Sequence, residues 1–208
     1  MKVRMAGRIF AALIAAAAWT GLALQFADTY SNNSSVGLTL WVIFAYFTIS
    51  TNVLVAVVFT WVAVDRGPRS GSIIAGTMLS ILLVGIVYAL LLPGALELSG
   101  GSALVDALLH KLTPVLVPLY WIFFARKGDL KWRDPWAWAI YPVGYLFYAI
   151  VRGRVTGKYA YPFLDVARLG WGRMALNACV IALAFMAAAY GIVGLDRALG
   201  AREKKGTD

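Results

Sequence analysis

The sequence predicts an all-α, polytopic membrane protein with six transmembrane helices, and three observations carry that prediction. Of the 208 residues, 61% are hydrophobic and only 14% charged, with a mean hydropathy of +0.75, whereas a soluble domain is roughly half apolar and about a quarter charged. The apolar residues gather into six long runs. The cations gather between those runs, where they set topology and meet anionic lipid.

About 20 apolar residues, at a rise of ~1.5 Å each, cross the hydrocarbon core as a helix. The first span is expected at 9–26, an Ala-rich stretch behind Lys2, Arg4 and Arg8. That pattern also suits a cleaved signal peptide. Removal would leave five spans and put the C-terminal tail on the opposite side from the basic loops, so a retained helix is expected. The second span, 37–62, has a polar centre, Thr48-Ile49-Ser50-Thr51-Asn52. The third is expected at 72–92, and the fourth at 104–124, containing His110, Lys111, Pro114 and Pro118. The fifth and sixth are expected at 136–152 and 174–195. Short connections, with no composition shift or repeat, indicate one integral membrane domain over 1–208, and the basic stretch 200–208 is expected to be a disordered tail.

Orientation follows from the excess of Lys and Arg in cytoplasmic connections. With the N-terminus inside, thirteen of the nineteen cations fall on that side, from Lys2 to Lys205, and both termini are cytoplasmic. The outer connections around Ser31 to Ser35 and Gly94 to Ser102 contain no Lys or Arg. The third outer connection breaks the pattern with Arg152, Arg154, Lys158, Arg168 and Arg173. These either meet lipid headgroups or, in the case of Arg152, Arg154 and Lys158, bind the anionic end of a substrate.

A single histidine, His110, and a single cysteine, Cys179, exclude an internal disulfide, a bis-histidine haem and a Cys/His zinc site. Neither phosphate-binding glycine motif is present, so no nucleotide partner is expected. No cofactor and no metal are implied, and the net charge of +9 reads as topology rather than as nucleic-acid binding.

Ionisable side chains inside a bilayer cost a few kcal/mol and are functional candidates by default. His110 is expected about two turns below the outer surface, with Asp106 one turn above it on the same face, placed to accept the Nδ1 proton and fix the tautomer. The bland alternative is a structural histidine bonded to a carbonyl near the two prolines. Thr48 and Asn52 share a face by their i, i+4 spacing, at ~18 Å depth against ~10 Å for His110. Hydroxyls in membrane helices commonly bond their own preceding turn or join helices. If Thr48 and His110 meet, the imidazole can take the hydroxyl proton, and Asn52 can donate to a developing oxyanion. Such a site acts on an ester dissolved in the bilayer. The competing reading is a binding or transport protein that holds a lipid or small amphiphile without chemistry. A Schiff base on Lys111 would need a deep carboxylate counter-ion that the sequence lacks.

The strings Val143-Gly144-Tyr145, Val155-Thr156-Gly157 and Tyr161-Pro162-Phe163-Leu164, with Thr48 in the second run and His110 ahead of the fourth run's prolines, resemble the androgen-induced and androgen-dependent-TFPI-regulating membrane proteins. Their prokaryotic six-helix relatives are more similar still. The resemblance implies a multi-pass hydrolase of fatty acid esters of hydroxy fatty acids, in a prokaryotic inner membrane, with Thr48 as nucleophile and His110 as its essential partner. It also implies that Tyr161 and Pro162 lie near the mouth of the pocket. In the animal proteins an Asn or Asp follows the Thr by three positions, whereas Asn52 follows Thr48 by four, which keeps Thr51 as a rival nucleophile.

The charge count makes one prediction independent of any family. Cysteines introduced over 31–35 should react with a membrane-impermeant reagent only from outside the cell, and labelling from the cytoplasmic side alone would reverse the topology.

Overall fold

A computed structural model of the chain describes residues 2–64, 71–91 and 101–205. The expected connections at Arg66 and Arg69 and at 92–100 lie outside the described residues. Those described are all-helical, with no strand among them. In order they are α1 (Lys2–Asn33), α2 (Val36–Ile43), α3 (Phe47–Ala63), α4 (Gly71–Leu91), α5 (Gly101–Asp106), a π-helix (Ala107–Leu112), α6 (Thr113–Phe124), α7 (Asp134–Thr156), a 3-10 turn (Pro162–Leu164) and α8 (Val166–Lys205). Four helical stretches are long and apolar enough to cross a membrane: α1, α4, the α5–π–α6 run and α8. The bent pair α2 and α3 makes a fifth if it counts as one span.

Two differences from the sequence reading stand out. The run expected as one helix over 37–62 is broken, and α2 and α3 meet at 99°. Backbone bonds step down to i−3 at the break, from Ala45 N–H to Val42 O and from Tyr46 N–H to Ile43 O, and Tyr46 turns extended. Neither glycine nor proline lies between Val42 and Ala63, so nothing local announces this corner. The fifth run forms a helix of ample length in α7, but α7 is not among the stretches apolar enough over a membrane-spanning length, Trp136, Trp138, Tyr141, Pro142, Tyr145 and Tyr148 standing where aliphatic residues would.

The chain divides into two compact units, Met1–Asp129 and Leu130–Asp208, where the sequence suggests one domain. In the first, α1 packs against α2, α3, α5, the π-helix and α6. Its packed face is Ala11, Ile14, Ala15, Ala18 and Leu22, the i, i+3/i+4 stripe of a helix seam, with small residues that let neighbouring backbones approach. Arg8 Nε donates to Ala63 O at 2.9 Å and satisfies a carbonyl at the end of α3, where a cation also suits the helix dipole. Helix α4 approaches α6 closely at Gly85, where a Cβ would fall 2.8 Å from the Pro114 ring. In the second unit, α8 is kinked at Gly170, whose φ of 74° and ψ of 163° suit only glycine comfortably. Asp196 Oδ2 accepts from Leu130 N–H at 3.0 Å. Helix α8 continues to Lys205, into the stretch 200–208 expected as a disordered tail.

Polarity is inverted relative to a soluble protein. Thr39, Thr48, Thr51, Asn52, Thr77, Ser80, Asp106 and Thr113 are buried, while Leu90, Phe123, Ile140, Phe147, Val155 and Leu183 are each about 70% exposed or more. Large exposed apolar faces on every long helix are what lipid contact requires.

The Gly85 contact generates a prediction. Gly85→Val sets a branched side chain against a rigid proline ring, so it should destabilise the protein by about 1 to 3 kcal/mol despite the better helix propensity of valine. Thermal unfolding in detergent reads this as a lowered midpoint, and an unchanged midpoint would refute the close packing.

Candidate functional site

The site grows from one proline. Pro114 has no N–H and so leaves a carbonyl one turn earlier without a partner. Just ahead of it the backbone runs as a π-helix, with Thr113 N–H bonded to Leu108 O, an i to i−5 step. In that register the next donor would be Pro114 N and its acceptor Leu109 O. The Leu109 carbonyl is therefore orphaned by the register and the proline together, within a buried residue. An unmet buried carbonyl costs about 1 to 3 kcal/mol. Asn52 Nδ2 donates to it at 3.2 Å and Thr113 Oγ1 reaches it at 3.3 Å.

Asn52 does more than fill that gap. Its other amide hydrogen goes to Thr48 O at 2.9 Å, and its Oδ1 accepts from Thr113 Oγ1 at 2.8 Å. The spacing from Thr48 suggests Asn52 as a donor to an oxyanion. In the structure both amide hydrogens hold backbone carbonyls, and Asn52 instead joins the first turn of α3 to the residue before His110. Thr51 is fully buried in the same turn.

The π-helix also determines what surrounds Asp106. In an α-helix the residue at i+5 lies about 140° around the axis from residue i. Where i to i+5 bonding holds, that residue swings back over residue i. Asp106 thus meets both of its successors. Its Oδ1 lies 3.1 Å from His110 Nδ1, and its Oδ2 lies 2.8 Å from Lys111 Nζ. From α4, Tyr88 OH donates to the same Oδ2 at 2.8 Å, and the Tyr88 ring stacks on His110 at 4.5 Å between centroids and 18° between planes. The His110 and Asp106 atoms face each other without hydrogen-bond alignment, and neither has another hydrogen-bond partner among the described residues. The contact becomes an ion pair when His110 is protonated. Tyr88 is absent from the sequence reading because an aromatic in a long apolar run gives no signal of its own.

The nearby hydroxyls separate into two kinds. Ser50, Thr60, Thr77 and Ser80 each donate to a carbonyl of their own preceding turn, as hydroxyls in apolar helices generally do. Thr48 does not. Among the described residues its hydroxyl makes no hydrogen bond, although the residue is only 7% exposed. His110 Nε2 is likewise uncommitted among the described residues.

The remaining expected site residues lie in the second unit. Arg152 donates to Tyr148 OH at 2.7 Å, Arg154 lies 5.7 Å over the Trp171 ring, and Lys158 is exposed beyond the end of α7. Tyr161 is buried, stacked on Phe163 at 5.2 Å and edge-on to Tyr145. No group of three or more metal-ligating side chains occurs among the described residues.

Fold and site together define an all-helical chain with four or five membrane-compatible helices and a polar cluster buried in its first unit. No protein-family model, curated protein or solved structure matches the chain.

The central role of Asn52 predicts that Asn52→Leu, similar in size but without hydrogen bonds, should cost about 1 to 3 kcal/mol by removing three buried hydrogen bonds and leaving Leu109 O to the Thr113 hydroxyl alone. Thr113→Val should cost less, because Asn52 still reaches Leu109 O. Equal, negligible shifts in thermal midpoint for both variants would show that the network carries no stability.

Proposed function

We propose that this protein is a multi-pass integral membrane hydrolase of lipid esters, of the fatty acid ester of hydroxy fatty acid type, with Thr48 as nucleophile and His110 as its base. The observation that carries the reading is the uncommitted Thr48 hydroxyl. It sits in the first turn of α3, on a residue whose own carbonyl is tied through Asn52 to the segment bearing His110. A nucleophilic hydroxyl has to be free of competing acceptors so that its base can take the proton. Thr48 Oγ1 meets that condition, as Thr39 Oγ1 also does, and a side-chain movement has to bring Thr48 and His110 into hydrogen-bond reach.

The chemistry follows from the side chains. His110 Nε2 takes the Thr48 proton as Oγ1 adds to the ester carbonyl, and Asp106 at Nδ1 holds the ring and stabilises the imidazolium that forms. The alcohol leaves with that proton, giving an acyl-threonine. Water, activated by the same imidazole, then releases the acid and restores Thr48. Lys111 and Tyr88, both on Asp106 Oδ2, keep its other oxygen turned to His110. The corner between α2 and α3 supports the reading too, because broken helices are tolerated at membrane depth where they line a cavity.

In this reading the chain crosses the membrane six times. The bent pair α2–α3 forms one span, and α7 is the sixth, its Trp and Tyr residues suited to the membrane–water boundary. Both termini lie in the cytoplasm, on the side with the greater number of cations, and the membrane is a prokaryotic inner membrane.

Thr48→Ala and His110→Ala should each lower hydrolysis of a lipid ester by at least about 100-fold, the usual range for losing a nucleophile or its base. Thr51→Ala should keep most of the activity, and the Thr48→Ala/His110→Ala double variant should be scarcely slower than either single one. A fluorophosphonate probe should modify Thr48, as located by mass spectrometry. Full activity in Thr48→Ala, or no adduct on any threonine, would leave the polar cluster as a binding site for lipid or a small amphiphile.

A further inference from the structure

The second unit carries a charge imbalance that the Thr48–His110 chemistry itself does not use. Between Arg152 and Arg173 lie five cations, Arg152, Arg154, Lys158, Arg168 and Arg173, and one carboxylate, Asp165. Asp165 Oδ1 is committed to Arg168 N–H at 3.1 Å, as the cap of α8. No salt bridge joins Arg154, Lys158, Arg168 or Arg173 to a carboxylate among the described residues, and all four are exposed.

These cations sit on a built turn. Gly157 closes α7 in the left-handed region, at φ 69°. The returning chain lays the Tyr159 ring directly on Gly153, where no side chain fits. Tyr161 is buried against Tyr145 and Phe163, and Asn177 Nδ2 holds Phe163 O at 3.0 Å, fixing the turn to α8. The charges are therefore presented from a rigid support, which lowers the ordering cost of binding.

The setting of the turn selects the ligand. Phe147, Val151 and Val155 are exposed along the last three turns of α7, with Arg154 among them and Lys158 just past the end of the helix. Arg154 lies over the ring of Trp171, which is itself 52% exposed. Exposed apolar side chains interleaved with arginine, and a tryptophan beside them, match the boundary between acyl chains and headgroups, and guanidinium groups suit phosphate through paired N–H donors.

We propose that this turn binds the phosphate of an anionic phospholipid, with the acyl chains lying along the exposed face of α7. This assignment rests on the membrane-spanning reading and not on the hydrolase. Native mass spectrometry of the purified full chain in a non-ionic detergent, with phosphatidylglycerol or phosphatidylcholine added at equal concentration, tests it. Phosphatidylglycerol should remain bound with an apparent affinity at least tenfold above that of phosphatidylcholine. The variant R154Q/K158Q/R168Q/R173Q should lose that preference, and the charge-retaining R154K/R168K/R173K should keep most of it. If the fourfold variant does not purify, K158Q/R173Q, at two exposed positions, should still lower the preference about threefold. Equal retention of the two lipids, or an unaltered preference in the glutamine variants, would overturn the proposal. Displacement of phosphatidylglycerol by inorganic phosphate would mark a site for free anions and overturn the lipid assignment. Carbonate extraction of the parent membranes separates these outcomes from a failure of the membrane reading, since release of the protein into the soluble fraction would sink both.

Discussion

The Leu109 carbonyl, stripped of its helical partner, is the constraint on which the first unit depends. Pro114 cannot donate to it, and the π register sends Thr113 N–H past it to Leu108 O. In water such a carbonyl would simply hydrate. In a buried apolar setting it has to be met by side chains, and those that meet it are Asn52 from α3 and Thr113. One amide thereby fixes the distance between the corner of the α2–α3 pair and the segment carrying Asp106, His110 and Lys111. The unusual helix, the proline and the buried asparagine are one solution to one hydrogen-bonding problem.

The same π register gives Asp106 two partners where a regular helix would give it one. With Lys111 and Tyr88 both on Oδ2, the other oxygen is left to His110. A carboxylate held by three groups loses the freedom to rotate away, and the stacked Tyr88 ring limits the tilt of the imidazole. The approach of α4 that brings Tyr88 to this segment is close at Gly85, which packs on Pro114.

Much of this was legible in the sequence. The apolar runs located α1, α4 and α8, because a bilayer requires length and apolarity together and both are properties of composition. The i, i+4 spacing put Asp106 near His110 and Thr48 near Asn52. What escaped had no local signature. The corner at Phe44–Tyr46 lies in an unbroken apolar stretch, and a helix that bends because its neighbours demand it looks in sequence like one that does not. Tyr88 resembles any other aromatic of a long apolar run until its hydroxyl is seen on Asp106.

Sequence by itself determined that the chain is helical and apolar on its long faces, and that its few ionisable groups gather on one run and in a few connections, since these follow from residue type and period. Only the tertiary structure decided what Asn52 does. Its amide has two hydrogens to donate and one oxygen to accept with, and spacing alone made an oxyanion as reasonable a partner as a carbonyl. The partner was settled by which carbonyl the packing left unmet, and that depends on residues 57 and 61 positions away in the chain.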